Sequence, residues 1–527
     1  MDRRVDLCGG GSPARSSDGA TRPSRGRHSA AQCRLGSPAG PQCIFVPIRS
    51  CGMAKVPLDE CTPWRSCLHH PARELALMAD GRPLERIDDL LARLLDRVAP
   101  LPAEAVAVGR ESAESLLGRV LAAPLRAAVS HPPSDVSAMD GWAIRAGDLE
   151  HASSDAPVPL RCVGDAAAGG GVSTSELAPG ECRRIATGAV IPFGADSVVP
   201  VEKSHLDDPR QGSAPLLRSP ASLPPTVWFT APTPTGSHIR RRGEDMKVAD
   251  QLAEAGSVID AALLSVIFTS GSPEVHLSPR PRIAVLVSGD ELSGAATATT
   301  MRDSNGPALS ALVLSEGAQV VSVTHVADDA AATHAAVERL SGLCDLLVTS
   351  GGVSVGAHDH VGAALESRFD LIAWRAAIQP GKPLLLGERR AGEPGARFAL
   401  GVPGNPVSAF VIGVEVLLPL IRALAGRPAL GLELEGVLEE PVQSPIGRRS
   451  FLRVTALRTP GGDFARDAAG RIRVRLAGGQ GSHQTASLAT CDALGVIPEE
   501  VGSLAAGAVI LLHPLSRATR RVAPPRG

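Results

Sequence analysis

Hydrophobic positions change their spacing several times along the chain, and each change predicts a different kind of element. After Glu85, residues Ile87, Leu90, Leu91, Leu94, Leu95 and Val98 recur at i, i+3, i+4 and i+7 with Asp88, Asp89, Arg93 and Asp96 between them. That stripe predicts an amphipathic helix, stopped by Pro100 and Pro102. A second helical stretch at 111–121 ends near Pro124. Between about 131 and 248 the pattern shortens to runs at 158–163, 183–187 and 197–202 divided by Gly and Pro, which predicts a small β-rich domain. Within it 206–235 carries several Pro and Ser and is expected to be a surface insertion. Residues 249–280 return to helical character.

From Arg282 the apolar runs are short and lack alternation, the mark of strands covered on both faces. Such runs at 283–287, 319–323, 346–349, 371–373 and 398–402 are separated by helical stretches at 307–316, 330–340 and 361–367. This predicts an α/β domain with a mostly parallel sheet, whose ligands bind beyond the strand C-termini. The tail has β segments at 451–456, 472–476 and 508–513 with Gly-rich turns, expected to form a small C-terminal β domain or barrel. The expected fold class is therefore α/β multidomain: a helical and extended linking domain (83–130 plus 249–280), a small β-rich domain (131–248), the α/β domain (281–426) and the C-terminal β domain (427–527).

Composition narrows the partners. The 53 basic and 55 acidic residues give a net charge of −2, so nothing electrostatic points to nucleic acid or an anionic membrane. No window reaches the ~20 apolar residues that cross a bilayer, and the N-terminus lacks an apolar signal core, so the expectation is a soluble, cytoplasmic protein. Residues 1–82 are rich in Arg, Ser, Gly and Pro and are expected to be disordered, or an extension upstream of the true start. Cys61, Cys67, His69 and His70 lie there, at a spacing that fits no usual zinc pattern.

The most informative stretch is 344–359, where a buried strand breaks into Ser350-Gly351-Gly352-Val353-Ser354-Val355-Gly356. Paired glycines remove the Cβ atoms that would keep a ligand from the backbone N–H groups. Three readings compete. Gly352–Gly356 matches the G-x-S-x-G nucleophile elbow, which would need an acid and a His after Ser354, such as Asp370 with His483 or His513. A plain glycine turn is the second reading. The third is an oxyanion cradle of backbone N–H groups and the Ser354 hydroxyl, with Lys382 supplying charge.

The other loops favour the cradle. Ser-Ala-Met-Asp-Gly-Trp-Ala at 137–143, Arg-Ile-Ala-Thr-Gly-Ala at 184–189, Arg-Arg-Gly-Glu-Asp at 241–245 and Ser-Gly-Asp-Glu-Leu at 288–292 occur in that order. Asp-Ser-Asn at 303–305, Ser-Gly-Gly-Val-Ser-Val-Gly at 350–356, Pro-Gly-Lys-Pro at 380–383 and Pro-Gly-Asn-Pro-Val-Ser at 403–408 follow. The series closely resembles the MoeA family of molybdopterin molybdenumtransferases, related to the C-terminal domain of gephyrin, over about 83–520.

The resemblance implies insertion of molybdenum from molybdate into adenylylated molybdopterin, with release of AMP and help from Mg2+. It implies catalytic roles for Asp140, Asp245, Glu291, Asp328, Asp359 and Lys382. Thr187, Ser350, Gly351, Gly352, Ser354, Arg375, Pro403, Pro406 and Ser482 would contact substrate. Acids beside a phosphorylated substrate would repel it unless a divalent cation lay between, and Glu291 and Asp359 are the expected metal ligands; Asp328 could instead be a helix N-cap. The family further implies a head-to-tail homodimer in which Asp140, Thr187 and Asp245 reach the partner's site, and a molybdopterin adenylyltransferase as a possible partner. A non-catalytic molybdopterin-binding scaffold and an adenylyltransferase are the alternative functions. The chain departs from the family pattern at Arg375 and Gln379, where many members carry lysine; Gln379 keeps hydrogen bonding but loses charge, which bears on molybdate against tungstate. Trp142 and Ser288 stand where Tyr and Thr are common, and are expected to be packing changes.

Overall fold

The inner strands of the α/β region's central sheet have almost no solvent-facing side, whereas the edge strand Gln319–Val326, expected to be covered on both faces, alternates exposed and half-buried residues. Leu346–Ser350 and Phe398–Val402 are buried along their whole length, and Arg282–Ser288 from its second residue. The computed structural model describes residues 84–170, 175–292, 301–353 and 360–515. The six strands run in the order Gln319–Val326, Arg282–Ser288, Leu346–Ser350, Phe398–Val402, Pro383–Arg389, Phe369–Arg375. Pro383–Arg389 runs against the other five strands, so the sheet is mixed.

The uninterrupted apolar runs follow from packing on both faces. Ile283, Val285 and Val287 face a core shared with Leu309, Val313, Ile412 and Leu420, from helices Asn305–Ser315 and 406–424. Ala284 and Leu286 face Val337, Leu340 and Leu365, from helices Ala330–Ser341 and His360–Glu366.

Three features of the α/β region differ from the sequence expectation. Pro383–Arg389 is a full strand that the apolar pattern did not predict. Helix Pro406–Leu424 spans 19 residues and is long and apolar enough to cross a membrane, although no such window was expected; it is a core helix, 78% buried inside the fold. Its Pro406 sits in the first turn, where a missing N–H costs nothing. Third, the stripe Ile87, Leu90 and Leu94 of helix Ile87–Leu95 packs into the α/β core, beside Ile378 and Leu384.

In the linking region Leu116, Leu121 and Leu125 share a core with Ile259, Ile267 and Leu277, so 104–126 and 251–278 close on each other. The small β region holds a six-stranded sheet in the order Ser197–Pro200, Gly141–Ile144, Glu181–Ile185, Val158–Ala166, Thr226–Phe229, Ser204–His205. Thr226–Phe229 comes from the stretch expected to be a surface insertion, yet Val227 and Phe229 are buried in the core of that sheet. Trp142 is also buried there and donates its indole N–H to Ser204 Oγ at 2.8 Å, so its packing includes a satisfied polar atom. At the C-terminus Arg449–Ala456, Ile472–Leu476, Leu434–Leu438, Val509–Pro514 and Ala493–Ile497 close into a five-stranded barrel, with the first strand pairing the last.

Candidate functional site

Strand register fixes where the informative loops meet. Ser288 pairs with Val326, Val287 with Ser350, and Ser350 with Val402, so the parallel strands end along one edge. Arg375 pairs with Pro383, which places the end of one strand and the start of the antiparallel one on that same edge. The loops carrying Asp290, Glu291, Asp328, Ser350–Gly352, Arg375, Lys382 and Pro403–Pro406 are thereby gathered at the strand C-termini.

The glycine turn is held by the main chain and one buried amide. Gly351 and Gly352 have φ of 86° and 63°, the left-handed region that glycine occupies without strain. A Cβ on Gly351 would lie 2.5 Å from the Ser288 carbonyl oxygen. Gly351 N–H donates to the Val402 carbonyl at 3.2 Å. Asn305, 7% exposed, donates its side-chain N–H groups to Ser350 Oγ and to the Gly404 carbonyl, both at 2.8 Å, and so ties the glycine turn to the Pro403–Pro406 loop. The backbone N–H groups of Asn305 and Gly306 donate in turn to Asp303 Oδ1 at 2.9 and 3.0 Å, and His325 Nε2 lies 2.9 Å from Asp303 Oδ2.

The acids of the edge are also tied down. Ser288 donates its hydroxyl to Asp328 Oδ1 at 2.7 Å, and the Asp328 N–H donates to Asp290 Oδ1 at 3.0 Å. Ser288 is therefore more than a packing change. The N-cap of helix Ala330–Ser341 is Asp329, which accepts from Ala332 N–H at 2.7 Å, leaving Asp328 turned to the edge. Glu291 lies over Gly289, where a Cβ would meet its carboxylate at 2.8 Å. Among the described residues no three His, Cys, Asp or Glu side chains converge to hold a metal. Ser354 and Asp359 lie outside the described residues, so the expected ligand pair with Glu291 and the Ser354 contact have no structural description.

In the small β region Asp140 Oδ1 accepts from both the N–H and the hydroxyl of Thr187, at 2.7 and 2.9 Å. These two donors, the main-chain one first, hold the Asp140 carboxyl below the usual carboxylate range. Asp245 is exposed, and its N–H donates to the His131 carbonyl at 3.1 Å. Among the described residues no hydrogen bond or ion pair joins Asp140, Thr187 or Asp245 to the α/β edge of the same chain.

The barrel reaches the edge through its loops. The Ser482 carbonyl accepts from Val407 N–H at 3.1 Å, seating that loop on the start of helix 406–424. Gln379, followed by a cis bond to Pro380, pairs with Ser450 of the barrel. Gln379 and Pro380 line a cavity of about 190 Å³ together with Ser450, Arg453 and Gln480. Sequence reading missed Arg453, 1% exposed, which donates to the carbonyls of Gly479 and Gly481 at 3.1 and 3.2 Å and to Ser487 Oγ at 3.3 Å. Burial pushes its pKa down. A charged residue inside an apolar strand run was the available signal. Asn305 was missed too, although its motif was noted.

Ser354 lies outside the described residues, and two of the elbow's candidate partners are engaged elsewhere. Asp370 pairs with Arg390 at 3.0 Å at the opposite end of the sheet, and His513 contacts Glu415.

Residues 85–271 match the family model for the MoeA N-terminal region (domain I and II), 284–423 that of a probable molybdopterin binding domain, and 435–515 that of the MoeA C-terminal region (domain IV). The chain is 33% identical over 400 residues to molybdopterin molybdenumtransferase 2 of Mycobacterium tuberculosis, covering 74% of this chain and 91% of that one. It is 28% identical over 435 residues to the molybdopterin molybdenumtransferase of Haemophilus influenzae, covering 82% and 98%. Among solved structures, a molybdopterin biosynthesis MoeA protein of Pyrococcus horikoshii superposes with a TM-score of 0.65 at 24% identity, over 82% of this chain and 99% of that one, a likeness of fold.

Proposed function

Given that the chain belongs to the MoeA family, we propose that it is the molybdopterin molybdenumtransferase of molybdenum cofactor biosynthesis, moving molybdenum from molybdate onto adenylylated molybdopterin with release of AMP. The observation that carries this reading is the gathering of Ser350–Gly352, Asn305, Lys382, Arg375 and Pro403–Pro406 along one strand edge. Family relatives match through the small β region and the barrel as well as the α/β region. That breadth favours the transferase over an adenylyltransferase, and no observation favours a scaffold.

At the edge, the turn at Gly351 and Gly352 brings main chain close to bound oxyanions, which Lys382 and Arg375 neutralise. Asn305 keeps Ser350 and the Gly404 carbonyl in fixed relation, so the floor and wall of the site move together. Ser482, from the barrel, closes one side. Asp140, its carboxylate held by Thr187, is placed by this reading in the site of a partner subunit, as is Asp245, in a head-to-tail homodimer. The edge acids are hard oxygen donors of the type Mg2+ accepts together with substrate phosphates. Glu291 would hold the ion, with Asp359, and the ion would offset charge at the phosphates. The same reading places the enzyme in the cytoplasm and allows an adenylyltransferase to hand it substrate.

Incubation with adenylylated molybdopterin, Mg2+ and molybdate tests this directly. Molybdate-dependent AMP release is expected, and bound substrate with no AMP would overturn the reading.

A further inference from the structure

Helix 406–424 shares an apolar core with Phe451, Leu494 and Val496 of the barrel, and two polar contacts add to it. At its start, Val407 N–H donates to the Ser482 carbonyl at 3.1 Å. About 12 Å further along, at a rise of ~1.5 Å per residue, Glu415 meets His513 of strand Val509–Pro514. Its two carboxylate oxygens lie 2.9 and 3.0 Å from His513 Nδ1. Glu415 is 7% exposed and stands in the π-helical segment Gly413–Leu417, an irregularity that commonly marks a functional position within a helix. A Cβ on Gly413 would lie 2.5 Å from Leu312, so glycine lets this segment press onto helix Asn305–Ser315, which carries Asn305 into the site. The barrel is further attached where Ile378–Gln379 pairs with Arg449–Ser450. Of these polar contacts, the one between Glu415 and His513 is the one that holds an imidazole.

We propose that His513 and Glu415 are positioning residues of the transfer reaction: their contact fixes the tilt of the barrel, and so the place of the Ser482 loop against the α/β edge. The proposal rests on the transferase reading for its kinetic consequence and on geometry alone for its conformational one. The charged groups that face the imidazole are Glu415 from the helix and Glu433, whose Oε1 lies 3.5 Å from Nε2, from the segment entering strand Leu434–Leu438. On the third side lies the Phe451 ring, 6.2 Å between centroids. Although burial alone would lower its pKa, hydrogen bonding and charge from Glu415, then Glu433, raise it above the ordinary histidine value. A raised folded-state pKa means the contact contributes fully below the unfolded value of ~6.5 and loses that contribution as pH rises through the folded value.

The experiment compares wild type, His513→Gln and His513→Lys across pH, with two readouts. One is amide exchange, corrected for intrinsic rates, over 404–412 in the ligand-free protein. The other is KM and kcat for adenylylated molybdopterin in AMP release. In wild type, protection of 404–412 should fall and KM rise about five- to tenfold, a typical coupling between sites, as pH passes above the His513 value, with kcat less affected. His513→Gln should show the high-pH behaviour throughout, and His513→Lys should hold the low-pH behaviour to higher pH. Equal protection in all three proteins would overturn the contact's conformational role. Altered protection with an unchanged KM, or loss of kcat and stability at all pH values without rescue by lysine, would overturn its role in positioning. Normal exchange behaviour with no AMP release from any protein would count against the transferase reading instead.

Discussion

The α/β edge and the Asp140 turn of the small β region both present polar groups to solvent, and they hold them in opposite ways. At the edge the glycine turn hangs on main chain: Gly351 donates to Val402, and the buried Asn305 bridges Ser350 and Gly404. In the small β region one exposed carboxylate is held by a single neighbour, Thr187. An edge built this way depends on the sheet beneath it, so its residues should be costly to change for stability as well as activity. The turn is local, so changes there should alter chemistry and spare the fold.

The largest effect is expected at Gly351. Gly351→Ala forces a left-handed φ on alanine and drives a Cβ to 2.5 Å from the Ser288 carbonyl. A loss of roughly 3 kcal/mol in urea unfolding follows from strain and collision together, along with loss of AMP release. Next comes Asn305→Ala, which removes two buried hydrogen bonds. Roughly 2 kcal/mol is expected at about 1 kcal/mol per bond, with weaker substrate binding measured by calorimetry.

Thr187→Val should leave unfolding nearly unchanged while moving the Asp140 titration, followed by NMR of the carboxyl carbon, part of the way back to its ordinary value. The shift is partial because the main-chain donor, the larger cause, remains. Since that pKa is lowered in the fold, what the interaction contributes is present at neutral pH and lost as pH falls through the folded value; the variant should lose less on acidification. The smallest effect is Gln379→Lys. Restoring one partly exposed charge is worth ~1 kcal/mol or less, so the KM for molybdate should fall by up to about fivefold, and an unchanged KM would remove Gln379 from the oxyanion site.

How far the sequence could be read follows the same division. Strands 346–350 and 398–402 were legible because burial on both faces leaves continuous apolar runs with no alternation to confuse. Pro383–Arg389 was not, because its three leucines follow Pro-Gly-Lys-Pro and end at Gly387, so turn signals outweighed a short run. Thr226–Phe229 was hidden by the prolines around it, and helix 406–424 by Pro403 and Pro406, which read as a turn although proline suits a first helical turn. Within the site, Asp140, Thr187 and the glycine turn were marked by motif. Arg453 and the Glu415–His513 contact were not, and the motif around Asn305 did not show its role, since each acts through partners distant in sequence, such as Ser350 and Gly404 for Asn305. Ser288 was taken for packing because its bond to Asp328 spans two strands.

In the proposed function the edge of one protomer and the Asp140 turn of its partner make one site. Mixing Asp140→Asn subunits with Lys382→Ala subunits tests it most directly, each variant being expected to be inactive alone in the AMP-release assay. After dissociation and random reassociation, half the dimers are hybrids carrying one intact site of two, so activity should recover to about a quarter of wild type. A mixture as inactive as its parents, with hybrid dimers demonstrably formed, would contradict it.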